Sequence, residues 1–327
     1  MKIDWPKFIE TIRGHRTFLL TSHIRPDCDA LGSELGMAGV LEALGKEVLI
    51  VNGQPTPPNL AFIDPQRRIQ ALGHDLAADQ LPQTDVLMVL DTGVWVQLGS
   101  MADVVRASKA RKIVVDHHVS GDDLEALVFK DSQIEATGRL VLEAARQLDV
   151  ALTPSIAVPL FAAIATDTGW FRFSSTRAST YRAAADLIDA GVRPDEIFAQ
   201  LYERDTIGRL RLRGLILSRV QADREGRLMH SCVRKEDFTL TGALPSDTED
   251  VINMILAIEG VQVAVIAIEQ PQGGSKISLR SRCEVDCSRV AEHFGGGGHK
   301  AAAGAFLNEL PHVAIARVLD AVRAAMR

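Results

Sequence analysis

The sequence predicts an α/β protein with a parallel sheet in its first domain and a second, smaller α/β domain after it. In the first half, short apolar runs that end in polar clusters alternate with segments of helical periodicity, which is typical of a Rossmann-like sheet wrapped by helices. From Arg227 onward the order of predicted elements changes, and a length of 327 residues also favours two domains. We place the first domain at residues 1–190, a helical linker at 191–222 and the second domain at 223–327.

The individual elements follow from the same patterns. Predicted strands of the first domain lie at residues 17–21, 47–51, 86–90 and 112–115. Predicted helices lie at about 30–44, 136–148, 154–165, 178–190 and 194–203, and a helical connecting segment lies at 207–221. The second domain is predicted to run as a strand (228–233), a helix (247–258), two strands (261–268 and 276–279), a short helix (286–294), a glycine run, a strand (304–307) and a terminal helix.

The strongest local motif is the segment SHIRPDCDALGS at residues 22–33. It places one imidazole and two carboxylates, those of His23, Asp27 and Asp29, directly after a predicted strand. Hard divalent cations favour oxygen ligands with one or two imidazoles, so this segment is a candidate metal site. A plainer interpretation stays open, in which Asp29 caps the next helix, Asp27 lies in a Pro-Asp turn and His23 has no role.

Two further predicted strands also end in ionisable residues. Asp91 follows the apolar strand at 86–90, where it is either a ligand or the start of a turn before Gly93. The strand at 112–115 runs into Asp116, His117 and His118. One of these two histidines can serve as a ligand while the other, pointing elsewhere, contacts a reacting phosphate.

The predicted helix at 154–165 leads into Asp167 instead of a polar surface. One interpretation is a simple C-terminal turn closed by Gly169. The other is a metal ligand, because the helix dipole disfavours an acid at this end unless a cation compensates it.

Taken together, the separated elements supply enough donors for two divalent cations. In a parallel sheet, ligands bind at the carboxyl ends of the strands, where these residues are expected to converge. Two cations about 3.5–4 Å apart, bridged by one carboxylate, are a common solution for phosphoester hydrolysis. The candidate ligands are His23, Asp27, Asp29, Asp91, His117 and Asp167.

The second domain contains a candidate anion site. Arg280 precedes a glycine run that continues into His299 and Lys300, and the glycines at its centre are Gly296, Gly297 and Gly298. Consecutive glycines allow backbone N–H groups to turn towards an anion. A flexible linker is disfavoured because apolar and ionisable residues flank the run. The four cysteines have no disulfide or zinc spacing, so free thiols are expected.

With these motifs in this order, the chain resembles the DHH phosphoesterases along essentially its whole length. Within them it resembles the nanoRNase/pAp phosphatase group, which pairs a DHH domain with a DHH-associated domain. The resemblance implies a catalytic, metal-binding first domain, a substrate-binding second domain and an active site in the cleft between them. Where the family usually has glycine between the two acids of the first motif, this chain has Cys28, which leaves the ligands intact.

The resemblance also implies a role for each candidate residue. One manganese ion would be held by His23, Asp27 and Asp91, and the other by Asp29, Asp91, His117 and Asp167, with Asp91 as the bridge. His118 would face the scissile phosphate, and Asp116 would support the site from behind. Arg280, the glycine run, His299 and Lys300 would hold the far phosphate or sugar of the substrate.

The implied activity is metal-dependent hydrolysis of short oligoribonucleotides, including linear dinucleotides, to mononucleotides, with 3′-phosphatase activity on pAp. Two Mn²⁺ ions are the expected cofactors, with Mg²⁺ or Co²⁺ as alternatives. A formal net charge of −6 argues against binding of long nucleic acid. The sequence lacks signal-peptide and membrane-spanning patterns, which predicts a cytoplasmic protein without a membrane partner, and a homodimer is compatible with it. Two alternatives are a phosphodiesterase for signalling dinucleotides and a non-catalytic nucleotide-binding regulator.

Overall fold

The computed structural model describes residues 3–248 and 250–326. The chain divides into two compact units, and the boundary lies between Glu203 and Arg204. This boundary falls inside the segment predicted as a linker at 191–222. The last helix of the first unit packs with that unit, whereas the next helix contributes Leu212 and Ile216 to the core of the second unit. Each unit has its own sheet, so the predicted α/β class with a second domain is confirmed.

The first unit contains a six-stranded sheet in which every neighbouring pair is parallel. Its strands are β1 (Thr17–Thr21), β2 (Glu47–Asn52), β3 (Ile69–Ala71), β4 (Val86–Leu90), β5 (Arg111–Asp116) and β6 (Leu127–Lys130). The order β3-β2-β1-β4-β5-β6 reverses direction between β1 and β4. The four predicted strands are confirmed, and the short edge strands β3 and β6 were not predicted. The topological switch point, where parallel sheets bind ligands, therefore lies between β1 and β4.

Helices cover both faces of this sheet. They are α1 (Trp5–Gly14), α2 (Cys28–Ala43), α3 (Met101–Ala107), α4 (Thr137–Gln147), α5 (Pro154–Asp167), α6 (Ala178–Asp189) and α7 (Pro194–Tyr202). The five predicted helices are confirmed with small shifts at their ends, and α1 and α3 were not predicted. Helix α2 is buried almost all round, which explains why its apolar residues show no single stripe.

The second unit contains a mixed six-stranded sheet of order β11-β12-β10-β9-β8-β7, in which only β8 and β9 are parallel. Its strands are β7 (Gln221–Asp223), β8 (Leu228–Val233), β9 (Val263–Glu269), β10 (Ser275–Ser281), β11 (Gly297–His299) and β12 (Ala302–Leu307). Its helices are α8 (Ile207–Ser218), α9 (Lys235–Thr241), α10 (Val251–Leu256), α11 (Cys287–Glu292) and α12 (Pro311–Ala325).

Two features of this unit differ from what the sequence predicted. The helix expected at 247–258 is shorter: a 3-10 turn spans Pro245–Thr248, α10 begins at Val251, and residue 249 lies outside the described residues. The glycine run, to which no strand was assigned, contributes Gly297 and Gly298 to the edge strand β11, which pairs with β12. Within the described part of the chain, no helix has the length and apolar character needed to cross a membrane.

Candidate active site

The site forms where the carboxyl ends of β1, β4 and β5 meet the ends of two helices. His23 follows β1, and Asp91 follows β4 directly. Asp91 has a φ of 62°, a left-handed conformation that is uncommon for a residue other than glycine and that clusters at functional sites. Helix α2 begins beside Asp27 and Asp29, and α5 ends at Asp167. The six predicted ligands therefore come from five separate elements.

The six predicted ligands form two groups that meet at Asp91. One donor atom from each of His23, Asp27 and Asp91 lies within 4.8 Å of the others, and the same holds for Asp29, His117 and Asp167. The two carboxylate oxygens of Asp91 face different groups. Its Oδ2 lies 3.4 Å from Nε2 of His23, whereas its Oδ1 lies 3.7 Å from Nε2 of His117. Asp91 thus has the placement that a bridging carboxylate requires.

Two histidines present the same ring nitrogen to these carboxylates. Nδ1 of His23 is 3.0 Å from the carbonyl oxygen of Ile24, and Nδ1 of His117 is 3.2 Å from that of Ile134. A protonated Nδ1 that donates to a backbone carbonyl leaves Nε2 with its lone pair, which is the arrangement of most metal-binding histidines. For His117, Nε2 also lies 3.7 Å from Asp29 and 3.6 Å from Asp167.

The N-terminus of α4 holds two of the acids in place. The backbone N–H groups of Thr137 and Gly138 each donate to Asp29 over 2.8 Å, and the Thr137 hydroxyl donates to Oδ1 of Asp91 over 2.7 Å. The positive end of the helix dipole therefore faces the acids. Asp27, not Asp29, caps α2 by accepting the N–H groups of Asp29 and Ala30, so the plainer interpretation of Asp29 is wrong.

Close packing of α2 against α5 brings Asp29 beside Asp167. A Cβ at Gly32 would lie 2.4 Å from the carbonyl oxygen of Pro159, and a Cβ at Gly36 would lie 2.4 Å from the Leu160 side chain. Only glycine allows the two helices to approach this closely. Because the helices run antiparallel, the start of α2 meets the end of α5.

The acids repel one another in an interior environment. Burial, followed by the neighbouring charges of Asp29 and Asp27, raises the pKa of Asp91 well above its usual value. Burial and then the charge of Asp29 raise the pKa of Asp167 to about 6. Burial also raises the pKa of Asp29. Carboxylates gathered in this way are stabilised by a compensating cation, and oxygen and imidazole donors fit a hard or borderline divalent metal.

Comparison with known proteins decides the family. Residues 17–164 match the DHH family, N-terminal domain, and residues 239–327 match the DHHA1 domain. The chain is 34% identical over 311 residues to the bifunctional oligoribonuclease and PAP phosphatase NrnA of Thermus thermophilus, with 93% of this chain and 88% of that protein covered. The chain belongs to the DHH family.

Two further relatives support this assignment over the whole length. The protein of the same name from Bacillus subtilis is 26% identical over 303 residues, with 91% of this chain and 92% of that protein covered. The crystal structure of an exopolyphosphatase-related protein from Bacteroides fragilis superimposes with a TM-score of 0.86 at 26% identity, covering 98% of this chain and 94% of that one. We call the unit up to Glu203 the DHH domain and the unit from Arg204 the DHHA1 domain.

In the DHH domain, His118 is held by a chain of two further charged residues. Its Nδ1 lies 2.8 Å from Oδ1 of the fully buried Asp116, whose Oδ2 lies 2.8 Å from Nζ of Lys130. The hydrogen bond to Asp116 raises the pKa of His118. Although burial alone would raise the pKa of Asp116, hydrogen bonds with His118 and Lys130 lower it. The half-exposed imidazole is therefore oriented and favours its charged form.

Cys28, the departure from the family pattern, contributes no atom to the donor groups. Its thiol is buried in the core of the DHH domain, where burial raises its pKa to about 12. A protonated thiol is a poor metal ligand and a poor nucleophile. Among the described residues, the groups that could hold a metal contain His and Asp donors and no cysteine.

The DHHA1 domain carries the predicted substrate-binding residues at one end of its sheet. Arg280 on β10 pairs with Ala302 on β12, and Ala302 pairs in turn with His299 on β11. Directly opposed residues of antiparallel strands share a face, so Arg280 and His299 lie in one row with a small alanine between them. Lys300 forms a surface ion pair with Glu284 at 2.9 Å. The substrate-binding role of this row stays a prediction.

Sequence reasoning did not find Lys130, Thr137 or Gly138. Thr137 and Gly138 stand at the start of a helix that was predicted, so a hydroxyl and a small residue at this N-terminus were the available signal. Lys130 ends an edge strand that was not predicted, and nothing in its local sequence connects it with Asp116.

Proposed function

We propose that this DHH-family protein hydrolyses the phosphodiester bonds of short oligoribonucleotides, releasing mononucleotides, and removes the 3′-phosphate of pAp. The observation that carries the proposal is the position of Asp91, whose two oxygens face the two donor groups. The printed names of the Thermus and Bacillus relatives describe the same pair of activities.

The proposed cofactors are two divalent ions, with Mn²⁺ as the native metal. One would be held by His23, Asp27 and Asp91, and the other by Asp29, Asp91, His117 and Asp167. When bound, such ions lower the pKa of water and neutralise charge on the phosphate, which is the chemistry that phosphoester hydrolysis needs.

The remaining residues of the site act on the substrate or orient the groups that do. The hydrogen bond between Nδ1 of His118 and Asp116 raises the pKa of His118 and orients its ring, so that Nε2 would donate to a phosphate oxygen. Lys130 keeps Asp116 ionised and in position. Thr137 orients Asp91 through its hydroxyl, so the bridging acid cannot rotate without losing a buried hydrogen bond.

Substrate length is the part of the proposal that depends on the DHHA1 domain. The row formed by Arg280 and His299 offers two cationic or donating groups on one face, which suits a single phosphate or ribose. The acidic balance of the whole chain disfavours long RNA. Short RNA fragments arise during the degradation of RNA in the cytoplasm. The proposal therefore also includes a cytoplasmic location for the protein.

The test compares the hydrolysis of pApA, pAp, cyclic di-AMP and a long RNA by the wild type and by Asp91→Ala in Mn²⁺. The proposal expects rapid turnover of pApA and pAp, little of the other two, and none with the variant. Preference for cyclic di-AMP would instead identify a signalling phosphodiesterase. Binding of pApA without any metal-dependent turnover would identify a nucleotide-binding regulator.

A further inference from the structure

The turn that follows Asp167 has an unusual backbone. Gly169, Trp170 and Phe171 have φ values of 57°, 58° and 62°, three left-handed residues in succession. Large side chains are disfavoured in this region, and such strain persists only where the surrounding structure enforces it. Strained backbone clusters at functional sites, and this turn begins two residues after a predicted metal ligand.

The turn is fixed on its inner side. The Trp170 ring contacts Phe161 and Phe198, with centroids 6.0 and 5.1 Å apart, and the Phe171 ring stacks on Tyr181 at 5.5 Å. The buried Thr168 accepts three backbone N–H groups of the turn, two at its carbonyl oxygen and one at its hydroxyl. The segment is therefore a rigid support and not a mobile loop.

On its outer side the turn presents Arg172 and Phe173. Phe173 is 54% exposed, yet its ring lies against Gly169, where a Cβ would come within 2.4 Å of the ring. Arg172 donates from Nε to the carbonyl oxygen of Gly169 over 2.7 Å. Both side chains thus converge on the residue that lies two positions after Asp167.

Arg172 also differs from the two arginines of helix α4, which are ion-paired. Arg139 and Arg146 both pair with the carboxylate of Glu143. No carboxylate of the described residues lies within ion-pair distance of Arg172. Among its three guanidinium nitrogens, Nε is the one that donates a hydrogen bond, to the carbonyl oxygen of Gly169. Its terminal nitrogens are left to bind an anion, and a guanidinium fork matches the oxygens of a phosphate.

We propose that Arg172 and Phe173 form a nucleotide-binding turn, in which Arg172 binds a substrate phosphate and the Phe173 ring stacks on a base. This inference rests on the proposed function and adds two residues that determine its specificity for nucleotides. An exposed aromatic ring stacks on any base, so the turn selects for a nucleobase without reading sequence. It sits in the DHH domain and acts on the same end of the substrate as the metal site.

The test uses Phe173→Leu and Arg172→Gln, with Phe306→Leu as the matched control. Phe306 is 52% exposed and its ring also lies against a glycine, Gly274, but it belongs to the DHHA1 domain. For pApA, we expect each of the first two variants to raise KM about tenfold with little change in kcat. Phe306→Leu should have the same KM as the wild type. Phe173→Tyr, which keeps an aromatic ring, should also have a KM close to that of the wild type.

A dinucleotide with one abasic position separates stacking from general damage. For this substrate the effect of Phe173→Leu should disappear while that of Arg172→Gln remains. If the wild type cleaves pApA and all variants share its KM, the proposed turn is wrong although the proposed function holds. If the wild type does not cleave pApA, the proposed function fails, and equilibrium dialysis of pApA against the same variants decides on the turn, with equal affinities overturning it.

Discussion

The candidate metal ligands of the DHH domain and the predicted substrate-binding residues of the DHHA1 domain lie in opposite environments. In the DHH domain, Asp29, Asp91 and Asp116 are buried, and interior hydrogen bonds fix all three. In the DHHA1 domain, His299 and Lys300 are exposed at the end of an edge strand. Buried like charges cost folding free energy until a cation compensates them, whereas solvated charges cost little. The candidate metal site is therefore organised before a substrate binds, whereas the predicted substrate-binding residues of the DHHA1 domain are solvated and less constrained.

The largest expected effect comes from the centre of the buried group. Asp91→Asn should lower metal-dependent turnover by at least about a thousandfold, because an amide cannot bridge two cations. In EDTA the same variant should melt at a higher temperature than the wild type, since it removes a repelling charge from the interior. Asp103→Asn, at an exposed helical position, is the control for both assays. A metal-free variant that is less stable than the wild type would contradict the electrostatic account.

Glu34, a buried carboxylate outside the predicted ligand set, is expected to give the DHH domain a pH dependence of its own. Glu34 is fully buried, receives a hydrogen bond from Asn52 over 2.9 Å, and has its pKa raised by burial to about 8. The unfolded carboxyl ionises near pH 4.5, so folding takes up a proton between these values. This contribution to stability is complete below pH 4.5 and is lost as the pH rises through about 8.

Glu34→Gln should remove that pH dependence because the amide keeps the shape and stays neutral. In EDTA, the melting temperature of the variant minus that of the wild type should increase as the pH rises from 5 to 9. The corresponding change in the free energy of unfolding should be about a few kcal/mol at most. Subtracting the two profiles cancels the shared contribution of Asp29, Asp91 and Asp167, which titrate in the same direction. Parallel profiles for the two proteins would show that Glu34 is already ionised in the folded state.

The packing that creates the buried site is tested by two helical glycines. Gly32→Ala should destabilise the protein by about 1–3 kcal/mol, because its Cβ would lie 2.4 Å from the carbonyl oxygen of Pro159 and force α2 from α5. Gly214→Ala in α8 meets no atom within 4 Å and should be neutral or stabilise by up to about 1 kcal/mol. Denaturant melts measure both. Equal effects would mean that backbone propensity, and not close approach, determines the role of Gly32.

The same contrast explains what could be predicted from sequence. The strands and candidate ligands of the DHH domain follow a local rule, since three of the four predicted strands run into His23, Asp91 or Asp116 at the edge where parallel strands bind ligands. Contacts between distant segments carry no such local signal. Lys130 reaches Asp116 from an unpredicted edge strand, and Gly32 meets Pro159 across two helices. In the DHHA1 domain, no strand was predicted for the glycine run, since glycine is rare in strands, yet Gly297 and Gly298 pair with β12.

The smallest expected effects lie on the exposed row of the DHHA1 domain. If His299 binds substrate as proposed, His299→Ala should raise KM for pApA by up to about tenfold with kcat unchanged, because it would remove one solvated hydrogen bond. Lys300→Ala should change KM less, since Lys300 is already paired with Glu284 at the surface and such pairs contribute little. Neither variant should alter the melting temperature. A large loss of kcat from His299→Ala would mean that this exposed imidazole participates in the reaction, and the contrast between the organised metal site and the less constrained residues of the DHHA1 domain would then fail.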